Sequence, residues 1–247
     1  AQFSAAAEPA RCMAFARAIV TTKIDNCRTL LMRNHADPPP TAVDELARLS
    51  QAARSAESLS SLLGIEGMAA RHYFQNFSGM LKPREQGEGG WNFDFNGRNR
   101  RPPRDPVNAL LSYAYSLLAK DVTVTAQAVG LDPYQGFYHG PRYGRAALAM
   151  DLMEEFRPII ADSVVLWSVN NGVMQLTDFI RRGKAVALRP QARKRFIEAY
   201  EKRMDALVTH PIFGYRISYR RVLEVQARLF GRVLTGEIAE YPGFRTR

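Results

Sequence analysis

Asp151 and Glu154 stand three residues apart in AALAMDLMEEFRP, shortly after the histidine of GFYHG. On a helix that spacing puts both carboxylates on one face, where they can converge on one cation. Glu155 falls about 100° further round the helix and reads as a structural partner. The loop GPRYGR is short enough to fold His139 back over the start of that helix. One imidazole with one or two carboxylates and open water positions suits Mg²⁺ or Mn²⁺, and the set is too poor in cysteine for structural zinc. The same pattern also suits a solvated helix face, or a phosphate-binding loop with no chemistry. This segment alone does not choose between them.

Glu66, in SLLGIEGMAARHYF, is the next candidate. Gly64, Ile65 and Gly67 surround it, so few polar groups compete for its carboxylate. A buried glutamate must be paired, protonated or metal-bound. An exposed one would be a helix-start residue favoured by the dipole. His35, His72 and His210 lack an acid-rich neighbourhood and read as surface or packing histidines.

The elements that must position these residues are mostly helices. Apolar residues at three- and four-residue intervals predict a helix from Pro9 to about Asn34, ended by DPPPT. A second is expected from Val43 to Leu63 with Thr41 or Asp44 as start signals, and a third after Gly64. Residues 79–104 read as a long loop rich in glycine, proline and arginine. Its Trp91, Phe93 and Phe95 with Arg98, Arg100, Arg101 and Arg104 suit either stacking of single-stranded nucleic acid or a loop that buries its aromatics in the core. Asp105 and Pro106 open a long helix that Gly130 closes. Further helix is expected over 146–166, 177–181, 190–208 and 219–234, with only short strand-like runs such as VALR. The prediction is an all-α, mostly helical domain over 1–247 with little or no sheet and a loose tail at 236–247.

The chain has 247 residues, 46% hydrophobic and 23% charged. That is globular composition, with no apolar run near the ~18 residues of a membrane span and no secretory leader, so a soluble, cytoplasmic protein with no membrane partner is expected. Cys12 and Cys27 lack metal-site spacing and read as packing residues. Residues 1–180 carry 18 basic and 18 acidic side chains and residues 181–247 carry 16 and 6, so the whole net charge of +10 lies in the last quarter. A basic segment of this kind attracts phosphate backbones, which makes nucleic acid the leading partner class and a solvated surface the alternative.

The stretches SLLGIEGMAARHYF, RNRRPPRDPVNALLSYAYSLL, GLDPYQGFYHGPRYGRAALAMDLMEEFRP and VLTGEIAEYPGF, in this order, resemble the CRISPR adaptation integrase ("Cas one") family over roughly residues 10–243. The resemblance corresponds to that family's helical catalytic domain. The family's small β-rich N-terminal domain has no counterpart, which implies a fragment or part of a fusion. It further implies that Glu66, His139 and Glu154 are the catalytic ligands of Mg²⁺ or Mn²⁺, with Asp151 a supporting acid. The implied reaction inserts foreign DNA into a CRISPR array by attack of a 3′-hydroxyl on a repeat phosphodiester. The implied partners are DNA, paired homodimers, the "Cas two" adaptation protein, and a fused "Cas four" nuclease or reverse transcriptase. Arg101, Arg104, Arg142, Arg145, Arg181, Arg182, Lys184, Arg189, Arg193 and Lys194 are the residues expected to hold DNA, with Arg195 beside them. Three other readings stay open: a metal-dependent nuclease acting on branched or single-stranded DNA, a non-catalytic helical DNA-binding protein suggested by the helix-turn-helix-like VTAQAVGLDPYQG, and a scaffold that bridges other adaptation proteins with its own site idle, against which the intact ligands count.

Overall fold

The computed structural model describes residues 1–82 and 92–246, so Trp91 lies outside the described residues. Its helices are α1 (Gln2–Ala6), α2 (Pro9–Asn34), α3 (Pro40–Arg54), α4 (Leu59–Gln75), α5 (Pro106–Ala128), α6 (Ala147–Met153), α7 (Ser163–Asn170), α8 (Pro190–Asp205) and α9 (Tyr219–Thr235). Two antiparallel hairpins complete it, β1 (Phe179–Arg182) with β2 (Ala185–Leu188) and β3 (Leu207–Thr209) with β4 (Arg216–Ser218). The mostly helical fold is the one expected. No helix among the described residues is long and apolar enough to cross a membrane.

Local chemistry sets the helix starts. Asp105 accepts the Asn108 N–H at 2.7 Å and Pro106 occupies the first position of α5, where its missing N–H costs nothing. Ser58 accepts the Ser61 N–H at 3.1 Å and so begins α4. That cap corrects the helix expected over 43–63. The helix is interrupted between Arg54 and Leu59, while Gly64 and Gly67 lie inside α4 on its exposed face. The helix expected over 177–181 is instead a short turn and β1. Gly183 at φ +60° turns the chain tightly, and the buried Phe179, Val186 and Leu188 anchor the hairpin. The helix expected to reach Val208 stops at Asp205, because Leu207–Thr209 pairs with Arg216–Ser218.

The helix expected over 146–166 is interrupted. After α6 the chain winds into a wider π-helical turn over Arg157–Asp162 before α7. Pro158 has no N–H and would clash with the carbonyl of Glu154 four residues earlier, so a regular helix cannot run through it. Such π-helical turns occur often beside functional sites.

α2 packs on α3 and α4, and α5 packs on α6, on the 157–162 turn and on α9. The tail expected to be loose is docked: Tyr241 and Phe244 are buried. The Phe244 N–H donates to Glu155 at 2.8 Å, the Tyr241 hydroxyl donates to Glu155 at 2.5 Å, and Asn26 donates to the Phe244 carbonyl at 2.8 Å. Burial nevertheless lifts the Glu155 carboxyl to about 7, since these donors only partly offset lost solvation. Glu155 is thus a structural partner, and the tail is the group it holds.

In the loop, Phe93 and Phe95 are buried against Phe179 and Phe77, at ring distances of 5.9 and 5.0 Å. Arg98 donates to Asn108 at 2.7 Å and lies over the Tyr115 ring. These side chains serve packing, which favours the covering-loop alternative over base stacking.

Candidate active-site cleft

A cleft of about 290 Å³ opens between α2, α4 and the 139–162 segment, and Glu66, His139 and Glu154 all line it. Glu66 comes from the middle of α4, Glu154 from the residue that ends α6, and His139 from the preceding loop. A larger groove of about 690 Å³ near α9 has Asp132 and Glu237 in its lining but no histidine, and is remote in character from this chemistry.

Asp151 builds the loop that carries His139. Its carboxylate is fully buried and accepts the backbone N–H groups of Phe137 (2.7 Å), Tyr138 (3.0 Å) and His139 (2.8 Å). It also stands 2.7 Å from His139 Nδ1. With Nδ1–H donating to Asp151, Nε2 is left with its lone pair, and it faces Glu154 Oε1 at 3.8 Å. This carboxylate–imidazole relay is the arrangement that orients metal-binding histidines. The loop needs glycine at 136, where a Cβ would come within 2.6 Å of the His139 carbonyl oxygen and 2.8 Å of the Ala147 Cβ.

The two glutamates meet around Lys23. Its ammonium contacts Glu66 Oε1 and lies 2.6 Å from Glu154 Oε2. The other oxygens are also engaged, Glu66 Oε2 accepting from the Tyr138 hydroxyl at 2.5 Å and Glu154 Oε1 pairing with Arg157 Nη2 at 3.0 Å. Burial alone would raise the Glu66 carboxyl, but Lys23, Tyr138 and Arg157 outweigh it and draw it down to about 2. Burial would lower Lys23, and the carboxylates of Glu154 and Glu66 raise it instead.

As they stand, no three His, Cys, Asp or Glu side chains among the described residues are set to hold a metal, and Lys23 lies between two of the candidates. The donor set still suits a hard divalent cation: two carboxylates and an imidazole nitrogen face one space. Glu154 Oε2, moreover, is buried without a well-formed hydrogen bond. Asp151 has its acceptor capacity filled by backbone and imidazole and supports from behind.

Beneath the cleft, Asp162 accepts from Tyr73 at 2.9 Å and Tyr115 at 2.7 Å. Burial lifts its carboxyl to about 6 against the pull of these hydroxyls, Arg98 and Arg157. At the mouth, Arg100 and Arg145 line the opening.

The expected DNA-holding residues fall into two groups. Arg145 faces the cleft, and Arg142 sits exposed on the same turn, joined by the Arg145 N–H to the Arg142 carbonyl at 3.0 Å. Arg101 and Arg104 are exposed just beyond Arg100, and the Val186 N–H donates to the Pro103 carbonyl at 2.8 Å. That bond ties them to the hairpin bearing Arg181, Arg182 and Lys184, which leads into α8 with Arg189, Arg193 and Lys194 exposed. Arg189 donates to the Thr177 carbonyl and Arg195 pairs with Asp178. Basic side chains thus stand at the cleft, through Arg100 and Arg145, and on the hairpin and helix tied to the segment beyond Arg100.

Sequence reasoning passed over Lys23, Tyr138 and Arg157, and took Arg100 only as one of the loop arginines. A signal existed for Lys23, which follows Ile19 by four residues and precedes Cys27 by four, placing a charge on the apolar face of α2. The helix-turn-helix reading does not survive: after α5 the next helix begins only at Ala147, whereas that motif needs a second helix after a turn of about 3–4 residues.

The chain is also similar to known proteins. Residues 1–202 match the family model described as CRISPR associated protein Cas1. The chain is 54% identical over 253 residues to a CRISPR-associated exonuclease Cas4/endonuclease Cas1 fusion of Geobacter sulfurreducens, covering 100% of this chain and 45% of that protein. It is 42% identical to the CRISPR-associated endonuclease Cas1 3 of Thermus thermophilus, covering 100% of this chain and 71% of that one. A solved partial Cas6-RT-Cas1–Cas2 complex contains a chain that superposes with a TM-score of 0.84 at 26% identity, over 98% of this chain and 70% of that one. The chain therefore spans under half of the fusion protein and about seven-tenths of the other two.

Proposed function

The chain belongs to the Cas1 family of CRISPR-associated proteins, and we propose that it is the catalytic domain of a spacer-acquisition integrase. Its reaction is metal-dependent DNA strand transfer, in which a 3′-hydroxyl of a foreign fragment attacks a phosphodiester of the CRISPR repeat. The observation that carries this reading is the convergence of Glu66, His139 and Glu154 in one cleft, with Asp151 behind the imidazole and arginines at the mouth.

Glu66, Glu154 and His139 Nε2 would hold Mg²⁺ or Mn²⁺. The chemistry it would supply there is polarisation of the scissile phosphate and stabilisation of the charge that develops on the phosphate oxygens. Asp151 keeps the His139 ring turned with Nε2 toward the cleft. Tyr138 fixes the Glu66 carboxylate and Arg157 fixes that of Glu154. Arg100 and Arg145 supply positive charge where the DNA backbone enters, and the basic side chains of the β1–β2 hairpin and α8 add to it. The proposed setting is the cytoplasm of a prokaryote. The proposed partners are the Cas2 adaptation protein, a second copy of this chain and a fused Cas4 or reverse transcriptase, supported by the named fusion and complex among its relatives.

Hydrolysis by the same residues, with water in place of the hydroxyl, is the second reading, favoured by the word endonuclease in the relatives' names. Strand joining of a short duplex into a repeat-bearing plasmid tests the site. Glu66→Ala, His139→Ala and Glu154→Ala should each lower joining by more than about a hundredfold with DNA affinity nearly unchanged. Full activity in any of them removes that residue from the proposed ligands.

A further inference from the structure

Lys23 stands between two of the proposed metal ligands. Its ammonium occupies the space between Glu66 Oε1 and Glu154 Oε2. Of the remaining oxygens, Glu66 Oε2 accepts from Tyr138, and Glu154 Oε1, which faces His139 Nε2 at 3.8 Å, pairs with Arg157. Because Glu66 Oε1 and Glu154 Oε2 meet at one ammonium, a divalent cation that bridges the two carboxylates through them would compete with Lys23. Lysine suits such a temporary role: a compact charge on a flexible stem can withdraw from a carboxylate, whereas a guanidinium clamps it in a fixed fork. The two carboxylates also need a cation when no metal is present, since two buried like charges facing one space repel each other.

We propose that Lys23 is a built-in placeholder cation, which holds Glu66 and Glu154 in place before the metal arrives and competes with it for the same two oxygens. This rests on the reading of Glu66 and Glu154 as metal ligands. Lys23 is a positioning residue on this account, and its signature is in metal binding and metal-free stability.

The test is calorimetric titration of the full chain with Mn²⁺ in the absence of DNA, together with melting curves with and without Mn²⁺. Lys23→Met should bind Mn²⁺ about tenfold tighter or more than wild type, because a nearby repelling charge is gone. Its metal-free melting temperature should fall, and Mn²⁺ should restore it. Lys23→Arg, which keeps the charge, should bind no tighter than wild type. If Lys23→Met is unfolded without metal, refolding by Mn²⁺ to the wild-type circular dichroism supports the proposal, and failure to refold overturns it. Equal or weaker Mn²⁺ affinity in a folded Lys23→Met, alongside loss of binding in Glu154→Gln, overturns the placeholder and leaves the metal site standing. Unaltered binding in both Glu66→Gln and Glu154→Gln overturns the metal reading itself, and the placeholder with it.

Discussion

Asp151 and Glu154 are three residues apart and equally buried, yet their neighbours give them different work. Asp151 is saturated by three backbone N–H groups and an imidazole, whereas Glu154 keeps one oxygen with only Lys23 against it. Asp151→Asn should therefore weaken Mn²⁺ binding by about 10–100-fold through a misoriented His139, the usual cost of losing such a supporting carboxylate. Calorimetry on the folded variant checks this, and unchanged affinity would remove Asp151 from that role. Asp162 makes a different prediction. Its carboxyl is raised in the folded protein to about 6, so the folded state binds the extra proton between about pH 4 and 6. Stability from this group is present at low pH and is lost as pH rises through that window, by at most about 3 kcal/mol. Relative to Asp162→Asn, the wild type should become less stable from pH 4 to pH 6 in denaturant titrations, and a constant difference would contradict the assignment. Residue types and spacing exposed Glu66, His139, Asp151 and Glu154 as candidates. Lys23 escaped because its partners lie on α4 and α6, far away in sequence, and a lysine in a helix ordinarily reads as solvated.

At the scale of elements, helix starts were the legible part. Asp105 with Pro106 and the proline at 190 act locally, so their effect can be read without the fold. The interruption after α6 was not legible from periodicity, because the apolar pattern continues through Pro158 while the backbone cannot. The docking of the tail was hidden for a similar reason. YPGFRTR is packed by Asn26, Glu155 and Gln226, which come from three other places in the chain. Because the Phe244 side chain is fully buried, Phe244→Ala should cost about 3–5 kcal/mol. Chemical denaturation measures it, and a loss below about 1 kcal/mol would mean that the tail contributes little.

For the molecule as a whole, the positive excess of the last quarter is concentrated rather than spread evenly: residues 181–195, on the β1–β2 hairpin and the start of α8, carry seven basic side chains and no acidic one, and residues 196–247 carry nine and six. Reversing Arg193 and Lys194 to glutamate should weaken DNA binding and make its salt dependence shallower by about two in slope, at about 0.9 per phosphate contact. Equal affinity and equal slope in the double variant would identify α8 as a solvated face.

Integration itself is tested most directly on a branched DNA that mimics a half-integrated intermediate, incubated with Mn²⁺ and the wild-type chain or Glu154→Ala. Rejoined strands with the wild type alone are the predicted result, since the cleft should catalyse transesterification in either direction. Hydrolysed ends without any rejoined product, from a chain that binds the DNA tightly, would contradict integration and make this cleft a nuclease.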